Sequence, residues 1–174
     1  MIRRFLAWFG KPTLTKPELD RAELVQGEGP PEIVAIDHDD YTAKYIGRMR
    51  DGRQFFLTTP FVPASPEGQG CEFVALYFFD AEGQFLNALI DSFGPRDTMD
   101  DDARKQVYDD RLSSLGEVSF ERIEIEPFSV EKFGVLFGLI PCEPHDEDGI
   151  WTVEAQPGNY MAFYEPWDSG DYDT

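Results

Sequence analysis

The chain has 174 residues and carries 34 Asp and Glu against 15 Lys and Arg, for a formal net charge of −19. A chain of this length fits one domain that buries roughly 70% of its unfolded surface, so it needs no disulfide or metal to fold. The negative charge disfavours direct binding to nucleic acid or anionic membrane, because phosphate groups repel carboxylates. Adaptation to high salt is an alternative source of such a composition.

The charges are distributed unevenly along the chain. No Lys or Arg follows Lys132, and the last 42 residues hold nine carboxylates. The first 21 residues are basic instead, with five Lys and Arg against Glu18 and Asp20. This asymmetry predicts an electric dipole whose negative half attracts basic partners.

The first apolar run does not read as a membrane segment. Phe5–Phe9 is too short for the core of a signal peptide, and Lys11 follows instead of a cleavage site. No stretch approaches the length of a membrane span. We therefore expect a cytoplasmic protein without membrane attachment, in which Cys71 and Cys142 are buried free thiols, although a bridge between them stays open.

Two helices are predicted before the first strand, in an N-terminal helical segment of about residues 1–26. Ile2, Phe5 and Phe9 fall on one helical face, and Thr15 and Glu18 have the spacing of a capping box. The basic N-terminal helix is expected to neutralise the protein's own acidic surface.

From residue 33 the pattern changes to strands and hairpins. Alternating or continuous apolar residues predict strands at 33–37, 41–46, 55–59, 73–80, 84–91, 122–126, 128–130, 135–140, 151–156 and 160–164. Asp51-Gly52, Ala81-Glu82-Gly83 and Pro157-Gly158 predict turns between neighbouring strands. A helix is expected over about 98–115, capped by Thr98, ended by Gly116 and buried along the stripe of Tyr108, Leu112 and Leu115.

These elements predict an α+β fold in a single domain, residues 1–174. We expect a mainly antiparallel curved sheet of about 6–8 strands built from hairpins, with the N-terminal helices and the mid-chain helix packed on one face. A partly closed barrel is the alternative. The lack of βαβ alternation disfavours a doubly wound nucleotide-binding fold.

The densest group of metal-ligating side chains is Asp37, His38 and Asp39. Imidazole beside carboxylates suits a divalent metal, and His145 is the only other histidine that could join it. A solvated turn is the better interpretation, because Asp favours turns.

The sequence predicts no catalytic residue and no cofactor. Residues 144–149 superficially fit a calcium loop, but Pro144 and Ala155 stand where the first and last ligands belong. The consecutive carboxylates of Asp100, Asp101 and Asp102 point in different directions on a helix, so they suit its positive end and not a metal ion. No nucleophile elbow or phosphate-binding loop is present.

The acidic C-terminal tail, about residues 165–174, is the best candidate for a partner-binding surface. Aromatic side chains anchor interfaces, and surrounding carboxylates steer a cationic partner towards them. The predicted contact residues are Glu165, Trp167, Asp168, Asp171, Tyr172 and Asp173, together with Asp146, Glu147 and Asp148 in the preceding acidic loop. Alternatively, Trp167 packs on its own sheet and the acids are merely solvated.

The leading functional hypothesis is therefore a small acidic binding or inhibitor protein that docks a basic protein. It resembles bacterial immunity proteins in size and acidity alone, since no family motif is present. A metal-dependent enzyme using residues 37–40 with His145 is one alternative. A scaffold protein that pairs with a second copy through a sheet edge is another.

Overall fold

The computed structural model describes residues 29–145 and 149–174, and in these residues twelve strands and one helix occur. In chain order they are β1 (Val34–Ile36), β2 (Tyr45–Met49), β3 (Gln54–Thr58), β4 (Phe61–Val62), β5 (Cys71–Phe79), β6 (Phe85–Gly94), α1 (Asp101–Ser114), β7 (Val118–Phe120), β8 (Ile123–Ile125), β9 (Phe128–Lys132), β10 (Val135–Cys142), β11 (Thr152–Gln156) and β12 (Ala162–Phe163).

Tight hairpins join β2 to β3, β5 to β6 and β9 to β10. Between β2 and β3, Gly52 has φ of 90°, and the Asp51 carboxylate accepts a hydrogen bond from the Arg53 N–H at 3.1 Å. Between β5 and β6, the Asp80 carboxylate accepts from the N–H groups of Glu82 and Gln84. Short polar side chains thus satisfy the backbone donors that each turn leaves unpaired.

The largest sheet has six strands and is antiparallel throughout. β5 lies at its centre, with β3 and β4 on one side and β6 on the other. β2 continues the sheet beyond β3, and β7 forms the edge beyond β2. The nearly continuous apolar sequence of β5 predicted this central position, because both of its faces are covered.

Each face of this sheet has its own apolar cluster. On one face α1 packs over a smaller cluster that includes Phe55, Leu76 and Leu115. The other face builds the main core against a four-stranded sheet, in the order β12-β11-β10-β9, and against the β1–β8 ribbon. The described chain is thus layered as helix, sheet and second sheet.

The antiparallel sheet, the hairpins and the mid-chain helix are confirmed, but the single curved sheet is replaced by three sheets. The reason is that β3 and β5 are buried on both faces. One helix of 14 residues covers only one of these faces, so a second layer of strands must cover the other. The predicted N-terminal helices lie outside the described residues.

Three local predictions are corrected. Residues 41–44 form a turn, so β2 begins only at Tyr45. The N-cap of α1 is Asp100, whose carboxylate accepts from the Ala103 N–H at 3.0 Å, and not Thr98. Tyr108 and Leu112 of the predicted helical stripe are only partly buried, whereas Leu115 is buried.

Both cysteines are free and partly buried, at the first position of β5 and the last position of β10. None of the helices in the described residues is long and apolar enough to cross a membrane.

Candidate functional site

The C-terminal segment, residues 165–174, is built into the fold alongside β1. The Ala35 N–H donates to the Trp167 carbonyl at 2.8 Å, and the Asp37 N–H donates to the Gly170 carbonyl at 3.4 Å. Farther along, Asp173 and Ala162 exchange two backbone hydrogen bonds of 2.9 Å. Backbone bonds therefore fix this segment at both ends, with β1 on one side and β12 on the other.

This docking brings together two acidic segments that are far apart in the sequence. Arg122, just before β8, places Nη1 3.2 Å from the Asp37 carboxylate and donates from Nη2 to the Asp168 carbonyl. Its Nε lies 3.5 Å from Glu124. A Cβ on Gly170 would lie 2.4 Å from the Asp37 carboxylate, which would have to move, and the φ of 79° at this position favours glycine.

Asp39 and Tyr172 make the second connection. The Asp39 carboxylate accepts hydrogen bonds of 2.8 Å from the N–H groups of Tyr41 and Ala43, and a further one from the Tyr172 hydroxyl. Partial burial opposes ionisation of Asp39, but these hydrogen bonds outweigh it and lower the pKa of this carboxyl. Burial and the neighbouring Asp39 together raise the pKa of Tyr172 to about 12.

We define the carboxylates of these two segments, Asp37, Asp39, Asp168, Asp171 and Asp173, as the acidic face. Asp37, Asp168, Asp171 and Asp173 are exposed, and Asp39 is half-buried. Its charges lie on backbone that is fixed by hydrogen bonds, so they are presented in a defined arrangement. Asp168, Asp171 and Asp173 of this face were predicted as partner contacts, whereas Asp37 and Asp39 were predicted only as weak metal candidates.

The aromatic residues of the tail are used mainly for packing. Trp167 and Tyr172 are partly buried and pack against the main core, and the Tyr172 ring lies 5.6 Å from that of Phe163. Glu165, another predicted contact, is exposed. The predicted contacts Asp146, Glu147 and Asp148 lie outside the described residues.

The weak metal candidates have local structural contacts instead. His38 Nε2 donates to the Lys44 carbonyl at 2.9 Å, and its ring stacks on Phe120 at 5.8 Å between centroids. Asp39 is occupied by the hydrogen bonds just described, and His145 lies in the loop after β10. Among residues 29–145 and 149–174, no group of three or more His, Cys, Asp or Glu is placed to hold a metal ion.

Sequence reasoning missed Arg122 and Glu124 as neighbours of the acidic face. The inward alternation of Ile123 and Ile125 already indicates that both flanking charges point away from the core. The missing information was the pairing of β1 with β8, which joins Ile36 to Ile123 across 86 intervening residues. No local signal specifies such a distant partner.

Comparisons with protein-family models, with curated proteins and with solved structures find no match to this chain. Its function must therefore be inferred from its own residues.

Proposed function

We propose that this protein is a binding protein that docks a basic protein partner through the acidic face. The observation that carries the proposal is the contact between residues 37–39 and residues 168–172 beside β1, although more than a hundred residues separate the two segments. Carboxylates that are held close together by a fixed backbone create a strong local negative potential. Carboxylates that serve only solubility need no such clustering.

The net charge and the fixed carboxylates have different roles in such a site. The net charge of −19 attracts a cationic protein from a distance, and the fixed carboxylates select its orientation on contact. Trp167 and Tyr172 hold the segment in place and leave only part of their surface for a partner. Their packing keeps the carboxylates ordered in the free protein, so little conformational entropy is lost on binding.

The experiment compares two variants with the same change in net charge. The face variant combines Asp168→Asn, Asp171→Asn and Asp173→Asn, which preserves the fold because the tail is held through backbone atoms of Asp168 and Asp173. The control variant combines Glu67→Gln, Asp102→Asn and Glu131→Gln, at exposed residues in three other segments.

Each protein serves as immobilised bait in a cell extract at low ionic strength, and recovered proteins are identified by mass spectrometry. The expected result is a basic protein that the unmodified and control proteins capture, that the face variant loses, and that moderate salt releases. Equal capture by both variants would mean that the net charge alone attracts the partner and that the acidic face is not a specific binding site. Recovery of nothing basic by the unmodified protein would reject the proposal.

A further inference from the structure

A cleft of about 350 Å³ opens between the turn at residues 41–44, the connection from β3 to β4, and the first half of α1. Its walls carry three cations, Lys44, Arg96 and Arg104, and one carboxylate, Glu72. In the described part of the chain, these are three of the ten Lys and Arg but one of the 27 Asp and Glu. The residues that line this cleft therefore carry an excess of positive charge, although the protein as a whole is strongly acidic.

Arg104, one of the residues that line the cleft, carries an unused hydrogen-bond donor. Its Nη2 donates to Asp101 at 3.3 Å, but its Nε is buried and has no hydrogen-bond partner among the described residues. A buried N–H without an acceptor is unfavourable, so this donor calls for an acceptor that residues 29–145 and 149–174 do not supply. An oxygen of a bound anion is the natural one.

Hydroxyl groups add neutral donors to the same walls. The Thr58 hydroxyl donates to the Tyr160 oxygen at 3.2 Å, which leaves the Tyr160 proton for another acceptor. Burial raises the pKa of Tyr160 to about 12, so this hydroxyl keeps its proton at neutral pH. Leu57 and Phe61 supply apolar wall beside these polar groups.

Glu72 positions one of the cations without cancelling the charge of the cleft. Its buried carboxylate accepts from Arg96 Nε at 2.7 Å, and the Arg96 guanidinium lies 5.4 Å from the centroid of the Phe61 ring. A guanidinium fixed on two sides loses little freedom when it meets a ligand. Arg104 shares its charge with Asp101, and Lys44, whose ammonium lies 5.3 Å from the centroid of the Tyr45 ring, is the third cation on the wall.

We propose that this cleft binds a small organic anion, with its carboxylate or phosphate group held by Lys44, Arg96 and Arg104 and its apolar part against Leu57 and Phe61. Charge-assisted hydrogen bonds from Lys and Arg are the strong contacts for such groups. Asp39 of the acidic face caps the turn that forms one wall, but none of the five carboxylates of that face lines the cleft. The ligand of the cleft therefore does not depend on the proposed protein partner.

The test is a titration of the ¹⁵N-labelled protein with phenyl phosphate in one arm and benzoate in the other, followed by amide chemical shifts. Saturable shifts at Thr58, Arg104 and Tyr160 are expected with at least one ligand, at concentrations on the order of 1 mM. The ligand that binds more tightly, phenyl phosphate or benzoate, identifies whether the site prefers a phosphate or a carboxylate group. No saturable shift at these amides in either arm would overturn the proposal.

Two adjacent residues of α1 provide a matched pair of variants. Arg104→Gln should weaken binding about tenfold, because it removes a charged donor from the cleft. Lys105→Gln removes the same charge one residue away, where the side chain is exposed and pairs with Asp109, and should change affinity less than about twofold.

Lys44→Gln is the second cleft variant and keeps the test decisive if Arg104→Gln does not fold. The amide spectrum of each free variant establishes that its fold is intact. Affinity that is unchanged in every folded cleft variant, or reduced equally by Lys105→Gln, would contradict the proposed site.

Discussion

Asp39 and Tyr172 form the side-chain contact that joins the C-terminal segment to the turn after β1. We expect Tyr172→Phe to raise the pKa of the Asp39 carboxyl, because one of the hydrogen bonds that stabilise its charged form is removed. The same change should lower the free energy of unfolding by about 1 kcal/mol. Side-chain ¹³C titration of Asp39 and urea denaturation measure the two effects.

The pH dependence of this contact has a defined sign. Because the pKa of Asp39 is lower in the folded protein than the ordinary 3.8, its contribution to stability is present above that pH and is lost as the pH falls below it. The difference between the variant and the unmodified protein should therefore shrink in acid. Tyr164→Phe, at an exposed residue outside this contact, is the control and should leave the Asp39 titration unchanged.

Tyr77 presents the opposite case, a hydroxyl without a partner. The side chain is fully buried against Phe56 and Phe128, and its oxygen has no hydrogen-bond partner among the described residues. Burial raises the pKa of Tyr77 well above its ordinary value. We expect Tyr77→Phe to keep or increase stability, by up to about 1 kcal/mol, because it removes an unsatisfied polar group.

The matched comparison for this prediction is Tyr160→Phe. That substitution removes an oxygen that accepts a hydrogen bond from Thr58, so it should destabilise the protein. Thermal unfolding of both variants measures the contrast. A lower melting temperature for Tyr77→Phe than for Tyr160→Phe would show that the Tyr77 hydroxyl has a partner after all.

At the scale of the strands, Gly138 determines how closely β9 and β10 approach. It pairs with Ser129 at φ of 137°, and a Cβ there would lie 2.0 Å from the Phe128 carbonyl oxygen. Gly138→Ala should cost at least about 2 kcal/mol, because the strands must separate. Gly134→Ala in the neighbouring turn meets no atom within 4 Å, so denaturant unfolding should show a smaller loss there.

The start of α1 gives a second prediction at this scale. The Asp100 carboxylate accepts the Ala103 N–H at 3.0 Å, so Asp100→Ala should destabilise the helix by about 1 kcal/mol. Thr98→Ala should have a much smaller effect, since its hydroxyl only contacts the Pro95 carbonyl at 3.5 Å. Chemical denaturation compares the two variants. A larger loss for Thr98→Ala would restore Thr98 as the cap.

The same elements show what the sequence could specify. The hairpins at Asp51-Gly52 and around Gly83 were predictable, because turn chemistry and apolar alternation are local and agree with each other. The sequence did not distinguish Asp100 from Thr98 as the N-cap, because several neighbouring residues have side chains suited to this position. The backbone conformation at the start of the helix decides which of them caps it. β4 and β7 were missed since strands of two or three residues carry too little periodicity.

At the scale of the whole molecule, long-range pairing was the part that the sequence could not supply. The acids of the candidate face were identified, but not their convergence, which depends on β1 pairing with β8 and receiving the tail. The cationic cleft was missed for the same reason. Lys44, Arg96 and Arg104 are ordinary surface residues in the sequence, and only the packing of α1 over the sheet brings them together.

The net charge of −19 leads to a prediction about salt. Repulsion among 34 carboxylates should outweigh attraction in the ion pairs, because exposed pairs such as Arg50–Glu117 and Lys105–Asp109 each contribute only about 0–1 kcal/mol. Added NaCl should therefore raise the melting temperature. The rise should level off as the screening length falls from about 10 Å at 0.1 M to about 3 Å at 1 M.

Differential scanning calorimetry over this range measures the effect, and LiCl should reproduce it if screening by small ions is the cause. The face variant and the control variant proposed above carry the same net charge, and both should show a weaker salt response than the unmodified protein. If the rise in melting temperature with salt is reduced more in the face variant than in the control variant, the repulsion is concentrated at the acidic face. A melting temperature that falls with salt would mean that ion pairs dominate the electrostatics of folding.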